Sequence, residues 1–263
     1  MMIFCPLYSG SSGNSILVGS EETKILIDSG VSGKNIEIAL KSIDEKAQNI
    51  KGIFVTHEHI DHIKSVGILS RKYNIPVFAN EETWQAMKSQ VGKMKENNIR
   101  ILDERYLELG DLTIQSYSIS HDAVNPVGYN IYHKNKKATV ATDLGYISQE
   151  VKQATKESDV ILMESNHDVE MLKFGTYPYS LKRRVLGEKG HLSNDACGEA
   201  IVELLANSKP KKIFLGHLSK NNNYPELAYK TVENILRDNS IQIGKDIDIS
   251  MTYRDRPSEV IKF

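Results

Sequence analysis

Hydrophobic residues along this chain fall into short runs that stop repeatedly at polar clusters. Residues 3–8 and 15–19 predict two strands, joined by Ser9-Gly10-Ser11-Ser12-Gly13-Asn14. That Ser/Gly loop lacks a P-loop lysine and does not lead into a helix, so it reads as a flexible hairpin turn. Residues 24–27 predict a third strand, ending in Asp28-Ser29-Gly30, and residues 34–43 carry helical spacing through Ile36, Ile38, Ala39, Leu40 and Ile43. Residues 53–55 predict a buried strand. The next helix is expected to open at Asp61, where a carboxylate suits the exposed amides, with Ile63, Val66, Gly67, Leu69 and Ser70 on one packed face.

Further along, residues 76–79 predict a strand, and 81–97 a polar helix with exposed Lys88, Lys93 and Lys95. Residues 112–119 alternate as a half-buried strand, and 127–132 pair with 137–141 as a hairpin across His133–Lys136. Apolar strands are expected at 159–163 and 212–215, separated by a helix capped by Ser193 or Asn194. A helix over about 225–237 and a strand over about 247–253 close the pattern. No linker, low-complexity tract or repeat interrupts it, which predicts one domain over residues 1–263.

Composition narrows the class only a little. Hydrophobic residues are 40% and charged residues 25%, an ordinary folded mix, and a net charge of −1 offers no global attraction to nucleic acid or to an anionic membrane. Cys5 and Cys197 are too few for a disulfide framework and read as core residues. The amino terminus does not resemble a signal peptide, and no apolar run approaches the roughly 20 residues that span a bilayer, so the expectation is a cytoplasmic protein without membrane contact.

The chemistry concentrates in Thr56-His57-Glu58-His59-Ile60-Asp61-His62, directly after an apolar run. Imidazole nitrogens and carboxylate oxygens are the ligands that zinc, manganese or iron accept. A turn at a strand end can aim alternate residues at one ion and the later Asp-His pair at another. A solvated polar loop is the bland alternative, and the density of ligand types argues against it. His57, His121, Asp143, His167 and His217 each follow an apolar strand, and rigid strands sharing one sheet edge bring such residues together.

These residues resemble the motifs of the metallo-β-lactamase fold superfamily across essentially the whole chain. Asp28 matches the first motif, His57 to His62 the second, His121 the third, Asp143 the fourth and His217 the fifth. The resemblance implies a four-layer αββα sandwich, an α/β fold in which helices flank two mixed β-sheets. It also implies two divalent ions, Zn²⁺ or Mn²⁺ with iron as a further choice. His57, His59 and His121 would hold one ion, Asp61, His62 and His217 the other, and Asp143 would bridge them. Asp28 would support the cluster from behind the ligands. A turn-forming Asp-Ser-Gly is the structural alternative for Asp28.

The bridging aspartate argues against antibiotic hydrolysis and suits phosphodiesterases, nucleases and glyoxalase II thioesterases. Glu164-Ser165-Asn166-His167-Asp168, Gly190-His191-Leu192-Ser193-Asn194 and the early Ser/Gly loop resemble the YycJ/VicX (WalJ)-type subgroup. That likeness implies a DNA exonuclease related in its core to ribonuclease Z and the β-CASP nucleases. Only 74 positions separate Asp143 from His217 (217 − 143), too few for a β-CASP insertion.

The expected mechanism is phosphodiester hydrolysis by a hydroxide shared between two metals, oriented by Asp61 and Asp143. His191 would donate to a phosphate oxygen or the leaving oxygen, helped by His167, with Asn166, Ser193 and Asn194 contacting substrate. Lys182, Arg183, Arg184 and Lys189 form a basic cluster beside Tyr177 and Tyr179, suited to phosphates and unpaired bases of DNA, although a solvated loop has the same composition. A small-molecule phosphodiesterase, a glyoxalase II-like thioesterase and a non-enzymatic regulatory binding protein are the competing readings. Self-association as a homodimer stays open.

Overall fold

The computed structural model describes residues Met1 to Phe263 except Lys209. In chain order the first half comprises β1 (Met2–Tyr8), β2 (Ser15–Ser20), β3 (Lys24–Ile27), α1 (Gly33–Ser42), β4 (Ile50–Phe54), α2 (Ile60–Ile63), α3 (Val66–Tyr73), β5 (Val77–Ala79), α4 (Glu81–Val91) and β6 (Ile99–Ile101). The second half comprises β7 (Tyr106–Leu109), β8 (Leu112–Ser118), β9 (Val127–His133), β10 (Lys136–Ala141), α5 (Gln149–Thr155), β11 (Val160–Glu164), α6 (Val169–Phe174), α7 (Tyr179–Val185), α8 (Asn194–Leu205), β12 (Lys212–Gly216), α9 (Pro225–Asp238), β13 (Asp248–Met251) and β14 (Ile261–Lys262).

The strands form two seven-stranded sheets, ordered β14-β1-β2-β3-β4-β5-β6 and β13-β12-β11-β10-β9-β8-β7. Both are mixed. β1 to β3 are antiparallel while β3 to β6 run parallel, and β7 to β10 are antiparallel while β10 to β13 run parallel.

Strand residues alternate between two buried environments, which explains why the strands read as apolar runs. Phe4, Ile16, Val18, Ile25, Ile27 and Phe54 meet Ile114, Tyr129, Ile131, Val140, Leu162 and Phe214 between the sheets. The opposite residues of the first sheet, among them Cys5, Leu7, Leu17, Leu26 and Ile53, pack under α1, α3 and α4. Ile161, Ile213 and Leu215 pack under α5, α8 and α9. Two helical layers therefore enclose the two sheets, as the αββα reading requires. Phe54 anchors the inter-sheet core, stacked on Phe78 at 4.5 Å with Tyr129 edge-on at 5.7 Å. Truncating a buried phenylalanine of this kind costs about 3–5 kcal/mol. Cys5 and Cys197 are buried free thiols within these layers.

Several boundaries differ from the sequence pattern. The helix expected over 81–97 stops at Val91, because Gly92 takes a left-handed φ of 72°. The helix expected to open at Asp61 starts at Ile60, with His59 in the capping position, and breaks into α2 and α3 around Lys64–Ser65. The short strands β6, β7 and β14 and the short helices α5, α6 and α7 were not among the expected elements. No helix among the described residues is long and apolar enough to cross a membrane.

Candidate metal centre

Six strands deliver the centre. β3, β4, β10, β11 and β12 run in parallel groups, with Ile27 opposite Phe54, Ala141 opposite Met163, and Glu164 opposite Gly216. Their carboxyl ends are therefore level, and Asp28, His57, Asp143, Glu164 and His217 emerge there. β8 points the same way, because it is antiparallel to β9 and β9 to β10, so His121 arrives at the same edge. Asp28, Asp143 and His217 leave their strands with φ of 61°, 59° and 57°. Left-handed backbone turns the chain sharply, and Asp and His tolerate it better than branched residues.

The second motif is pinned from both sides. Asp61 O accepts from Asn14 N at 2.8 Å, and Gly30 N donates to Asn14 O at 2.7 Å. Gly30 packs so tightly here that a Cβ on it would lie 1.5 Å from Asp61 O. The Ser9–Asn14 turn belongs to the same edge: Ser9 Oγ accepts from His217 N, and Asn14 Nδ2 lies 3.1 Å from His62 Nε2.

The side chains converge in overlapping groups. His57, His59 and His121 form one, Asp61, His62 and His217 another, and Asp143 joins His57 and His62 in a third. Within each, the nitrogen and oxygen atoms lie within 4.8 Å of one another. His57 Nε2 is 3.0 Å from His59 Nδ1, near what two ligands of one ion require at about 2.0–2.1 Å each. Asp143 stands between the groups, with Oδ2 3.4 Å from His62 Nε2, and Oδ1 3.4 Å from His217 Nε2 and 3.7 Å from His121 Nε2.

The charge balance suits a cation. Burial opposes ionisation of Asp143, yet His217, His62, His121 and His57 hold its carboxyl well below the usual carboxylate range. Burial also lowers His62, but the carboxylates of Asp143, Asp28 and Asp61 overcome it and push the imidazole up to about 10. A divalent cation would take the place of the proton that this cluster of carboxylates otherwise holds. Burial lowers His57 and His121, which favours the neutral, ligating imidazole. The buried atoms Asp143 Oδ2 and His217 Nε2 have no hydrogen-bond partner among the described residues. Leaving such atoms unsatisfied costs about 1–3 kcal/mol each, so they fit an ion.

Two buried carboxylates orient these imidazoles. Asp28 Oδ2 accepts from His62 Nδ1 and from Thr56 Oγ1, and its Oδ1 accepts from Thr56 N, all at 2.8 Å. With Nδ1–H committed to Asp28, His62 presents Nε2 to the cluster, the arrangement that fixes a ligating tautomer. Glu164 does the same on the other side. Its Oε1 lies 2.8 Å from His217 Nδ1 and 2.8 Å from His191 Nδ1, and its Oε2 accepts from Leu144 N and Leu192 N. Burial opposes its charge, but His191 and His217 draw its carboxyl down to about 2. Glu164 was not among the expected site residues. Its signal was the same as for the others, a polar residue closing an apolar strand.

The remaining expected residues separate. His191 joins Asp143, Glu164 and His217 in one group, half-buried on the rim. Asn166 Nδ2 donates to His217 O at 2.8 Å, so its amide positions the strand end. His167 is buried outside every ligand group, and neither ring nitrogen has a hydrogen-bond partner among the described residues. Burial lowers it to about 4, with Glu164 opposing and His191 adding to that shift. Asn194 is fully buried and bonded to Ser165 and Asn223, so the expected substrate contact is corrected to a packing role. Ser193 caps α8, its Oγ accepting from Ala196 N, which leaves the hydroxyl proton free to donate. Arg184 pairs with Asp122 beside His121, while Arg183 lies exposed over the Tyr179 ring at 6.0 Å.

Known proteins resemble this chain in sequence and fold. The profile of the beta-lactamase superfamily domain fits residues 23–218. The chain is 40% identical over 258 residues to exodeoxyribonuclease YycJ of Bacillus anthracis, covering 98% of this chain and 97% of that protein. It is 42% identical over 252 residues to exodeoxyribonuclease WalJ of Streptococcus pneumoniae serotype 2, covering 95% and 93%. The crystal structure of YhfI, a metallo-β-lactamase fold protein of Bacillus subtilis, has a TM-score of 0.71 at 15% identity, covering 99% of this chain and 98% of that one, a likeness of fold. With its level strand ends and converging histidines, the chain belongs to the metallo-β-lactamase superfamily, beside the YycJ and WalJ proteins.

Proposed function

We propose that this chain is a metal-dependent phosphodiesterase that degrades DNA from an end in the cytoplasm, the whole site lying within one domain. The observation that carries the reading is Asp143, placed between the His57/His59/His121 group and the Asp61/His62/His217 group, with His191 on the rim. Relatives aligned over nearly the whole chain carry the name exodeoxyribonuclease, which favours DNA over a small ester or a thioester.

His57, His59 and His121 would hold one ion, Asp61, His62 and His217 a second, and Asp143 both. Five histidines and two carboxylates accept Zn²⁺ or Mn²⁺. When bound, such ions neutralise charge on a phosphoryl group and make water acidic near neutral pH. Asp28 and Glu164 keep His62 and His217 in the tautomer that presents Nε2 to the cluster. Because Glu164 holds His191 Nδ1, any proton passed to the leaving oxygen comes from His191 Nε2. Arg184, on the cleft beside His191, is paired with Asp122, and the exposed Lys189 on the neighbouring groove supplies positive charge for the substrate backbone.

The test offers Mn²⁺- or Zn²⁺-loaded protein end-labelled single- and double-stranded DNA, RNA, bis-p-nitrophenyl phosphate and an acyl-glutathione thioester, beside a His59→Ala control. Shortening of DNA from an end by the wild type alone is expected. Hydrolysis of the small ester without DNA cleavage, or equal activity in the control, overturns the proposal.

A further inference from the structure

Two cavities meet at the centre, and they are unequal. One is a cleft of about 140 Å³ between α7 and the Ser11 and Ser219 loops, reaching His191. The other is an open groove of about 570 Å³ past His121, Tyr146 and Lys189. Loops 121–123 and 189–191 divide them. Asp122, Gly190 and His191 face the cleft, whereas His121, Ala123 and Lys189 face the groove. His121 Nδ1 lies 3.2 Å from Gly190 O across that divide.

The cleft is far below the roughly 300–1,000 Å³ that drug-sized ligands occupy, so it admits a small group and no further nucleotide. Leu181 and Val185 of α7 line one wall. The rest of its lining is rich in donors. Ser11 Oγ accepts from Lys220 N and Ser219 Oγ from Asn222 N, so each hydroxyl proton is free to donate. Tyr177 adds a hydroxyl, and Arg184 neutralises Asp122, the one acidic side chain lining the cleft among the described residues. The groove, by contrast, is open and has the half-exposed Tyr146 ring and exposed Lys189 along it, the combination that tracks a strand by stacking and charge.

Resting on the nuclease reading above, we infer that the cleft receives the terminal phosphomonoester of a DNA strand, with α7 as an end stop, while the groove carries the remainder of the strand. A chain with nothing beyond its end fits this arrangement. A continuous chain meets Leu181 and Val185. The recognised chemistry is a terminal phosphate, and either strand end can supply it.

The metal-loaded protein would be given single-stranded oligonucleotides bearing phosphate or hydroxyl at the 5′ end, the same pair at the 3′ end, and a covalently closed circle of equal length. A phosphorylated end of one polarity should be degraded at least about tenfold faster than its hydroxyl counterpart, the worth of roughly one charge-assisted hydrogen bond, and the circle should resist. Ser11→Asp, which adds a negative charge to the cleft, should collapse that ratio towards unity. Each ratio is internal to one protein, so partial loss of folded material cancels. Equal rates on phosphate and hydroxyl ends, an unchanged ratio in Ser11→Asp, or rapid cutting of the circle overturns the end stop while leaving the nuclease reading intact. Hydrolysis of bis-p-nitrophenyl phosphate with no DNA cleavage overturns both.

Discussion

Glu164 Oε1 lies 2.8 Å from His217 Nδ1, and the same oxygen lies 2.8 Å from His191 Nδ1. One carboxylate at the end of β11 thus sets the orientation of a candidate ligand and of the candidate proton donor. An outer carboxylate of this kind raises ligand basicity and fixes the ring.

Glu164→Gln should therefore damage two properties together. The amide cannot accept from both imidazoles and both backbone amides, so metal affinity should fall roughly 10–100-fold. With metal saturating, kcat on bis-p-nitrophenyl phosphate should still fall, because His191 loses its anchor, while KM changes little. Metal titration combined with steady-state kinetics separates the effects. Full kcat at saturating metal would remove the His191 link.

Asp28 can be tested in the same way from the opposite side of the cluster. It accepts three hydrogen bonds in full burial at a left-handed φ, a conformation asparagine also adopts. Asp28→Asn should fold, lose about 1–3 kcal/mol through an unsatisfied buried group, and bind metal roughly 10–100-fold more weakly. Chelator competition and urea unfolding measure the two quantities. Unchanged metal affinity would reduce Asp28 to a turn former.

The contrast between Asp28 and Glu164 shows what the sequence made legible. Asp28, His57 to His62, Asp143 and His217 each follow an apolar run, visible because strands buried on both faces are apolar throughout, whereas His121 follows the alternating, half-buried β8. Glu164 obeys the same rule. Its meaning lies in partners 27 and 53 positions away, which periodicity does not connect. Asn194 failed in the opposite direction, since its motif neighbours suggested a surface role and Ser165 and Asn223 enclose it. β6, with all three residues exposed, and the two-residue β14 lie at sheet edges where one-sided pairing needs no strong pattern.

Gly30→Ala is expected to be the most damaging small substitution at the centre. The added Cβ would fall 1.5 Å from Asp61 O, and that carbonyl is already fixed by Asn14 N. The chain must shift where it holds Asp61 and His62, at a cost of about 3 kcal/mol or more. A large drop in the urea midpoint together with reduced metal content is expected. A variant of normal stability that still loads metal would show that the Asp61 loop yields freely.

His167 offers a pH test independent of catalysis. Its ring is buried without partners, and burial lowers it from 6.5 to about 4. Between those values the unfolded chain takes up a proton that the folded chain refuses, so stability must fall as pH drops from 6.5 to 4 and level off above 6.5. The full span is worth up to about 3 kcal/mol. His167→Gln cannot titrate, so the difference in unfolding free energy between wild type and variant should change across that window and stay constant above it. Urea unfolding of both proteins from pH 4 to 8 measures this, and the ligating histidines, common to both, cancel in the difference. Parallel pH profiles would mean that His167 reaches solvent or a hydrogen-bond partner in the folded protein.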